Sequence, residues 1–247
     1  MKYLGGKQRL GKHISPIIRE YWHEDLDGYL EPFCGSLGVL KHICELPTKI
    51  HANDYHPDLI KMWKEVKNGT FIYPDSISES EYNEAKQLKS PNGMKSFIGF
   101  GMSFGGRYFG AYSQKYLGDK KEDFCKEMKN SLLRTKPYIK NVSFTNKDYR
   151  DLDPVNKLIY CDPPYKQTKY PIKYRRDIKY YDVFDNEEFW DIMRKWSKQN
   201  TVIISETSAP PDFAPIWEQS IVRSASKSKN TKKMEKPVSE KLYMIKG

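Results

Sequence analysis

The chain has 247 residues, with 42 Lys and Arg against 32 Asp and Glu, for a net charge of +10. That length suits one large domain, or a core domain carrying a smaller insertion, and 38% hydrophobic residues exclude a disordered tail. No run of about 18 apolar residues is present to span a membrane, and Met1-Lys2-Tyr3-Leu4-Gly5-Gly6-Lys7 lacks the apolar stretch of a secretory signal.

The four cysteines, Cys34, Cys44, Cys125 and Cys161, form no Cys-x-x-Cys pair. They read as reduced thiols of a cytoplasmic protein, not as a disulfide frame or a zinc knuckle. The positive charge favours an anionic partner. Nucleic acid comes first, because 18 Tyr, 11 Phe and 5 Trp are mixed among the cations. Aromatic faces stack on bases, while Lys and Arg neutralise phosphates.

Along the chain, the first 65 residues alternate strands and helices. Tyr29-Leu30-Glu31-Pro32 predicts a short strand running into Phe33-Cys34-Gly35-Ser36-Leu37-Gly38, a tight turn expected to open a helix near Ser36. Lys49-Ile50-His51-Ala52 predicts a second strand, ending at Asn53-Asp54. Pro57 suits the first position of a helix, and Leu59, Met62, Trp63 and Val66 give it one apolar face. From 67 to 140 the texture changes. Asn68-Gly69, Pro74 and Pro91-Asn92-Gly93 mark turns, and the glycine- and aromatic-rich run from Phe97 to Gly110 fits no regular helix. This segment reads as an inserted subdomain between core segments 1–66 and 141–247.

The alternation resumes with strands at Val142-Ser143-Phe144 and Leu158-Ile159-Tyr160. A helix is expected at about 186 to 198, with Asp185 and Glu188 as a capping box and Phe189, Ile192, Met193 and Trp196 as its apolar face. Thr201-Val202-Ile203-Ile204 predicts a buried strand, and Ser220 to Met244 a hairpin with a Lys-rich connection. The whole pattern predicts an α/β fold with helices on both faces of the sheet. Ligands in such sheets bind at the carboxyl ends of strands.

The most informative motif, Asp162-Pro163-Pro164-Tyr165, directly follows a predicted strand. Two prolines fix φ and remove two N–H donors. The Asp162 carboxylate and the Pro163 carbonyl then stand as adjacent acceptors for a flat –NH2 group, with Tyr165 available to stack on a heterocycle. In the glycine loop, Gly35 lets a ligand approach the backbone closely. Asp54, 19 residues later at a strand end, suits ribose hydroxyls. Lys7 is a point charge suited to a carboxylate. The Gly-x-Gly-x-x-Gly of a dinucleotide site and the Gly-x-x-x-x-Gly-Lys-Ser/Thr of a P-loop are both absent.

In this order, Lys2-Tyr3-Leu4-Gly5-Gly6-Lys7, Glu31-Pro32-Phe33-Cys34-Gly35-Ser36, Asn53-Asp54, the insert, Lys147-Asp148-Tyr149, Asp162-Pro163-Pro164-Tyr165 and Ile204-Ser205-Glu206 resemble a DNA adenine-N6 methyltransferase of the Dam or D12 class, alpha group. The resemblance covers nearly the whole chain. It implies a Rossmann-like S-adenosylmethionine-dependent methyltransferase sheet with an inserted target-recognition subdomain. The implied activity is site-specific transfer of a methyl group to N6 of an adenine flipped out of duplex DNA.

The resemblance implies that Asp162, Pro163 and Tyr165 are catalytic. It implies cofactor binding by Tyr3, Lys7, Phe33, Gly35, Asp54, Asp148, Tyr149 and Asp162. Where the family usually has a second glycine, this chain has Leu37, with Gly38 next. DNA contacts are expected from Arg107 and Tyr108 in the insert, since Arg reads guanine bidentately. They are also expected from Lys166, Lys169, Lys173, Arg175 and Arg176, which are interleaved with tyrosines after the catalytic motif. The tail adds Arg223, Lys227, Lys229, Lys232, Lys233 and Lys236.

No metal is expected, since Pro57 breaks the helical register between His51 and His56 and no partner ligands follow. Acyl hydrolysis has no support without a Gly-x-Ser-x-Gly elbow. Enzymes that methylate adenine in RNA or a glutamine amide more often carry Asn where Asp162 stands, and cytosine-N4 enzymes typically carry Ser. A non-catalytic module of the same fold is the remaining reading. A bacterial, phage or viral setting fits, with restriction–modification, replication marking and viral self-protection all compatible.

Overall fold

The computed structural model describes residues 1–113, 116–117, 120–164, 184–221 and 238–246. Seven strands form one sheet: β1 (Tyr29–Glu31), β2 (Ile50–Asn53), β5 (Val142–Thr145), β6 (Leu158–Cys161), β7 (Thr201–Glu206), β8 (Phe213–Ile221) and β9 (Val238–Ile245). A separate two-stranded ribbon pairs β3 (Tyr116–Leu117) with β4 (Lys120–Lys121). The sheet order is β5-β2-β1-β6-β7-β9-β8. The first five strands are parallel; β9 runs antiparallel between β7 and β8.

Strand period dictates the layering. Leu158 and Tyr160 face one apolar cluster, while Ile159 and Cys161 face another. Ile203 and Leu242 join the first cluster, and Val202, Ile204 and Tyr243 the second. The second cluster is closed by α6 (Asn186–Trp196) through Phe189, Trp190, Met193 and Trp196. The first is closed by α1 (Gly11–Glu20) and α2 (Pro57–Asn68). The sheet is therefore buried on both faces, as near-continuous apolar strands require.

The helices α3 (Glu79–Gln87), α4 (Gly93–Gly101) and α5 (Phe124–Thr135) come from the segment between β2 and β5. Their Tyr82, Phe97, Phe100, Phe124 and Leu132 share the first cluster with Trp63 of α2, so this segment is packed onto the sheet's helical layer.

Local chemistry sets the helix ends. The His56 imidazole accepts from the Leu59 N–H, Pro57 takes the first position, and Gly69 at φ 75° ends α2. Asp185 caps α6 by accepting from the N–H groups of Glu187 and Glu188. Phe184, just before that cap, packs on Phe189 at 5.4 Å between ring centroids, a hydrophobic staple.

Three expectations are corrected. The glycine loop opens no α-helix; turns lead to a short 3-10 helix over Leu40–His42. The cause is local: Gly35 at φ 45° and Leu37 at φ 57° are both left-handed. The run after Phe97 is helical through Gly101 as part of α4, capped by Asn92, which accepts from Met94 and Lys95. Its glycines are used for contact: a Cβ on Gly99 would lie 2.5 Å from the Tyr108 ring, and one on Gly101 2.8 Å from Met128. The C-terminal hairpin begins at Phe213, earlier than Ser220, and a register shift between Pro215 and Trp217 accommodates the proline.

Candidate active site

The chain runs outward from β1 to β2 and β5, then returns to place β6 on the other side of β1. That reversal opens a crevice at the carboxyl ends of β1 and β6, where open α/β sheets bind ligands. Glu31-Pro32-Phe33-Cys34-Gly35 leaves β1 on one side. Asp162-Pro163-Pro164 leaves β6 on the other.

The glycine loop is held from three directions. The Gly35 N–H donates to Asp54 Oδ2 at 2.9 Å, and the Trp63 indole Nε1–H donates to the Gly35 carbonyl at 3.0 Å. The Cys34 N–H donates to the Asn53 carbonyl at 2.8 Å. Tyr3 lies over the loop: a Cβ on Gly35 would come within 3.1 Å of its ring. Asp54 is buried and its other oxygen accepts from the His56 N–H at 2.9 Å. Burial pushes the Asp54 carboxyl up to about 6, with those two N–H groups opposing.

Lys7 is carried into the crevice by close backbone packing. A Cβ on Gly38 would sit 2.8 Å from the Lys7 carbonyl carbon, so Gly38 is the residue that lets this segment lie down. The Lys7 ammonium, 7% exposed, donates to Asp162 Oδ1 at 2.7 Å and lies 3.5 Å from Glu240 Oε1. Burial works against its charge, but Asp162 and Glu240 outweigh it and hold the ammonium above its ordinary range. The lysine expected to meet a ligand carboxylate is thus engaged by a protein carboxylate, that of the Asp-Pro-Pro motif itself.

Further acids line the same end of the sheet. Glu31 is buried, accepts from the Tyr29 hydroxyl at 2.8 Å, and is pushed by burial up to about 8, with Asp162 adding to the rise. Glu206 accepts from the Thr207 N–H at 2.8 Å and hydroxyl at 2.9 Å; burial raises its carboxyl, and Glu240 and Asp162 add to that. Electrostatically, this crevice suits a ligand bearing positive charge.

Beside it stands an aromatic wall. Phe33 meets Tyr149 at 5.0 Å, Phe184 at 6.0 Å and Phe189 at 6.0 Å. Asp148 starts the short helix Tyr149–Asp151 and forms a two-point ion pair with Arg150, at 2.9 Å and 2.5 Å. Arg150 reaches on to Glu188 at 3.2 Å. The structure therefore brings Tyr3, Lys7, Phe33, Gly35, Asp54, Tyr149, Asp162 and Pro163 to one end of the sheet. Asp148 is turned toward Arg150.

In the insert, Arg107 is exposed. Tyr108 is half-buried, packs on His56 at 4.4 Å and donates to Asp58 at 2.5 Å. His51 pairs with Thr145 at 2.7 Å, and His56 caps α2. Tyr165, Lys166, Lys169, Lys173, Arg175, Arg176 and the cations from Arg223 to Lys236 lie outside the described residues. Among the described residues, no group of His, Cys, Asp or Glu is arranged to hold a metal ion, and no helix is long and apolar enough to cross a membrane.

Sequence reasoning missed Phe184 and Glu240 as site residues. For Phe184 the signal was present: an aromatic before a capping Asp and another at Phe189, four residues into the helix. For Glu240 none was available, because its place depends on how β9 returns beside β7.

No curated protein matches the chain at significant similarity. A family model does, over residues 3–98 and 106–239, and its description is D12 class N6 adenine-specific DNA methyltransferase. With glycine loop, strand order and Asp-Pro-Pro corner all at one switch point, and that match spanning most of its length, the chain belongs to the D12 class of N6 adenine-specific DNA methyltransferases.

Proposed function

We propose that the crevice between β1 and β6 binds S-adenosylmethionine and presents to it the N6 amino group of an adenine flipped out of duplex DNA. The observation that carries this reading is the Asp162 carboxylate, gripped by a buried lysine at the sheet's switch point beside the glycine loop.

The residues present fit the cofactor. Its sulfonium and ammonium are cations, and Glu206 and Asp162 make the surroundings acidic. Each oxygen of a carboxylate accepts more than one hydrogen bond, so Asp54 holds the glycine loop and still offers lone pairs to ribose hydroxyls. Phe33 and Tyr149 supply apolar faces for an adenine ring. When bound, S-adenosylmethionine supplies an electrophilic methyl group on positively charged sulfur.

Asp162 and the Pro163 carbonyl then accept hydrogen bonds from the two N6–H groups. This turns the nitrogen lone pair out of the ring and toward the methyl. Formation of the N–C bond would be balanced by cleavage of the S–C bond, whose electron pair would stay on sulfur. N6 sheds one proton, and Asp162 is the acceptor at hand. Orientation carries most of the rate, and can supply about 7–11 kcal/mol in favourable cases. Tyr165 stacks on the base by resemblance to the family. Arg107 and the basic loop after Tyr165 hold phosphates or guanine edges, and flipping exposes an N6 that is shielded in the stack.

The test is digestion of treated DNA to nucleosides, with N6-methyladenosine and N4-methylcytosine followed by mass spectrometry. N6-methyladenosine that disappears with Asp162→Ala, while DNA binding persists, is the expected result. Near-wild-type turnover by that variant overturns the assignment.

A further inference from the structure

Beyond the glycine loop and the Asp-Pro-Pro corner, one buried carboxylate has no part in the reading above. Glu240 lies on β9, 3% exposed and one residue past the span matched by the family model. Its polar neighbours Ser205 and Lys7 come from two distant parts of the chain. The Ser205 hydroxyl, on β7, donates to Glu240 Oε1 at 2.6 Å. The same oxygen lies 3.5 Å from Lys7 Nζ, and Lys7 in turn grips Asp162 Oδ1 at 2.7 Å. The strand register explains the meeting. Ser205 pairs with Leu242, so Glu240, two residues along β9, stands diagonally from it on the same face.

A buried lysine between two carboxylates is constrained from both sides. With Asp162 alone, its flexible stem would let the ammonium follow the carboxylate wherever it swung. With Glu240 fixed by Ser205, the ammonium has a second anchor on the rigid sheet. Asp162 is then tied through Lys7 to β7 and β9, not only to the end of its own strand. Buried carboxylates without such partners are costly, and this one is placed where its cost has a structural return.

We infer that Glu240, aimed by Ser205, is a positioning residue that fixes the Lys7 ammonium and through it the orientation of Asp162 toward the amino group being methylated. The inference rests on the proposed role of Asp162. Glu240 itself touches neither cofactor nor base in this account, so its removal acts on kcat and leaves binding in place.

The experiment compares wild type with Glu240→Gln, which keeps the shape and the acceptor for Ser205 but removes the charge. The expected result is a kcat lower by about 10- to 100-fold, with KM for DNA and cofactor within about threefold of wild type. In a Lys7→Met background the same substitution changes single-turnover rate by less than about twofold, because Glu240 works through Lys7. Independently of activity, the Lys7 ammonium gives a protected 1H–15Nζ cross-peak in the wild-type protein, and its exchange with water quickens at least about fivefold in Glu240→Gln. An unchanged kcat, a full additive loss in the Lys7→Met background, or an unchanged cross-peak each overturns the inference. Should Glu240→Gln fail to fold, Ser205→Ala carries the same three measurements. Wild-type protein that forms no N6-methyladenosine defeats the proposed function instead, and the cross-peak still decides the clamp.

Discussion

Asp54 and Gly35, 19 residues apart, are joined by a 2.9 Å hydrogen bond from the glycine N–H to the carboxylate, so the acid at the end of β2 shapes the loop at the end of β1. Its other oxygen holds the His56 N–H at 2.9 Å. In Asp54→Asn one of these N–H groups faces an amide NH2. A buried N–H without a partner costs about 1–3 kcal/mol. Thermal unfolding should show that loss, and cofactor affinity should fall by at least about tenfold as the loop loosens. Because burial lifts Asp54 to about 6, wild-type affinity for cofactor should decline as pH falls through that value. The Asn variant should show no such step; a step of the same size there would remove Asp54 as its source.

Glu31 gives a second pH signature, of stability. Its carboxyl rises from 4.5 to about 8, chiefly through burial. Between those values the unfolded chain has released the proton that the folded chain retains, so this group's contribution to stability falls as pH rises through the window. At pH 7 the deficit is about 3 kcal/mol against a neutral side chain. Glu31→Gln keeps an acceptor for the Tyr29 hydroxyl and should be the more stable protein at pH 8, with the advantage shrinking toward pH 5. Denaturant unfolding at both pH values measures it. A cation bound beside Glu31 favours its ionised form, so cofactor binding at pH 7 should release protons from wild type and fewer from the variant. Buffer-dependent binding enthalpy reads that difference.

Leu37 explains itself energetically. It adopts φ 57°, a conformation glycine takes freely, yet it is fully buried. The left-handed backbone costs a non-glycine residue about 1–2 kcal/mol, and burial of a leucine side chain returns about 2–5 kcal/mol on the scale of truncation to alanine. Leu37→Gly should destabilise by about 1–3 kcal/mol. Leu37→Ala should be worse than Leu37→Gly by about 1 kcal/mol, because it loses the packing and keeps the strain. At an ordinary core position the order is the reverse, and the reverse order here would show that the strain is not real.

This loop also marks the limit of reading structure from sequence. The helix α2 was legible because its signals are local: a proline at its first position, apolar residues at helical spacing, a glycine after its end. The glycine loop resembles a helix start in sequence, but two left-handed residues divert it, and the first of them, Gly35, is held by Asp54, Trp63 and Tyr3 from elsewhere in the chain. In α4, glycines argue against a helix on propensity; Tyr108 and Met128, packed where a Cβ would stand, supply the missing reason. The motif residues Lys7, Asp54 and Asp162 could be named as members of a site. That Lys7 grips Asp162 could not, because 155 residues separate them and only the sheet order brings them together.

Arg107 and Tyr108, adjacent in sequence, should separate cleanly in function. Arg107 is exposed, while Tyr108 is half-buried, donates to Asp58 and packs on His56 and Phe100. A cation free to approach phosphate contributes to binding by releasing counterions. Arg107→Ala should therefore weaken DNA binding by about tenfold and lower the salt slope by about one, while thermal stability is unchanged. Tyr108→Phe removes the hydrogen bond to a buried aspartate and should cost about 1–3 kcal/mol of stability, with DNA affinity and its salt dependence near wild type. Fluorescence anisotropy across a salt series, run beside thermal unfolding, gives both numbers for each variant. Loss of DNA affinity by Tyr108→Phe without loss of stability would make the hydroxyl a DNA contact. An Arg107→Ala protein with wild-type salt slope would move the phosphate contacts away from this turn, because a side chain that neutralises a phosphate cannot be removed without changing the number of counterions released.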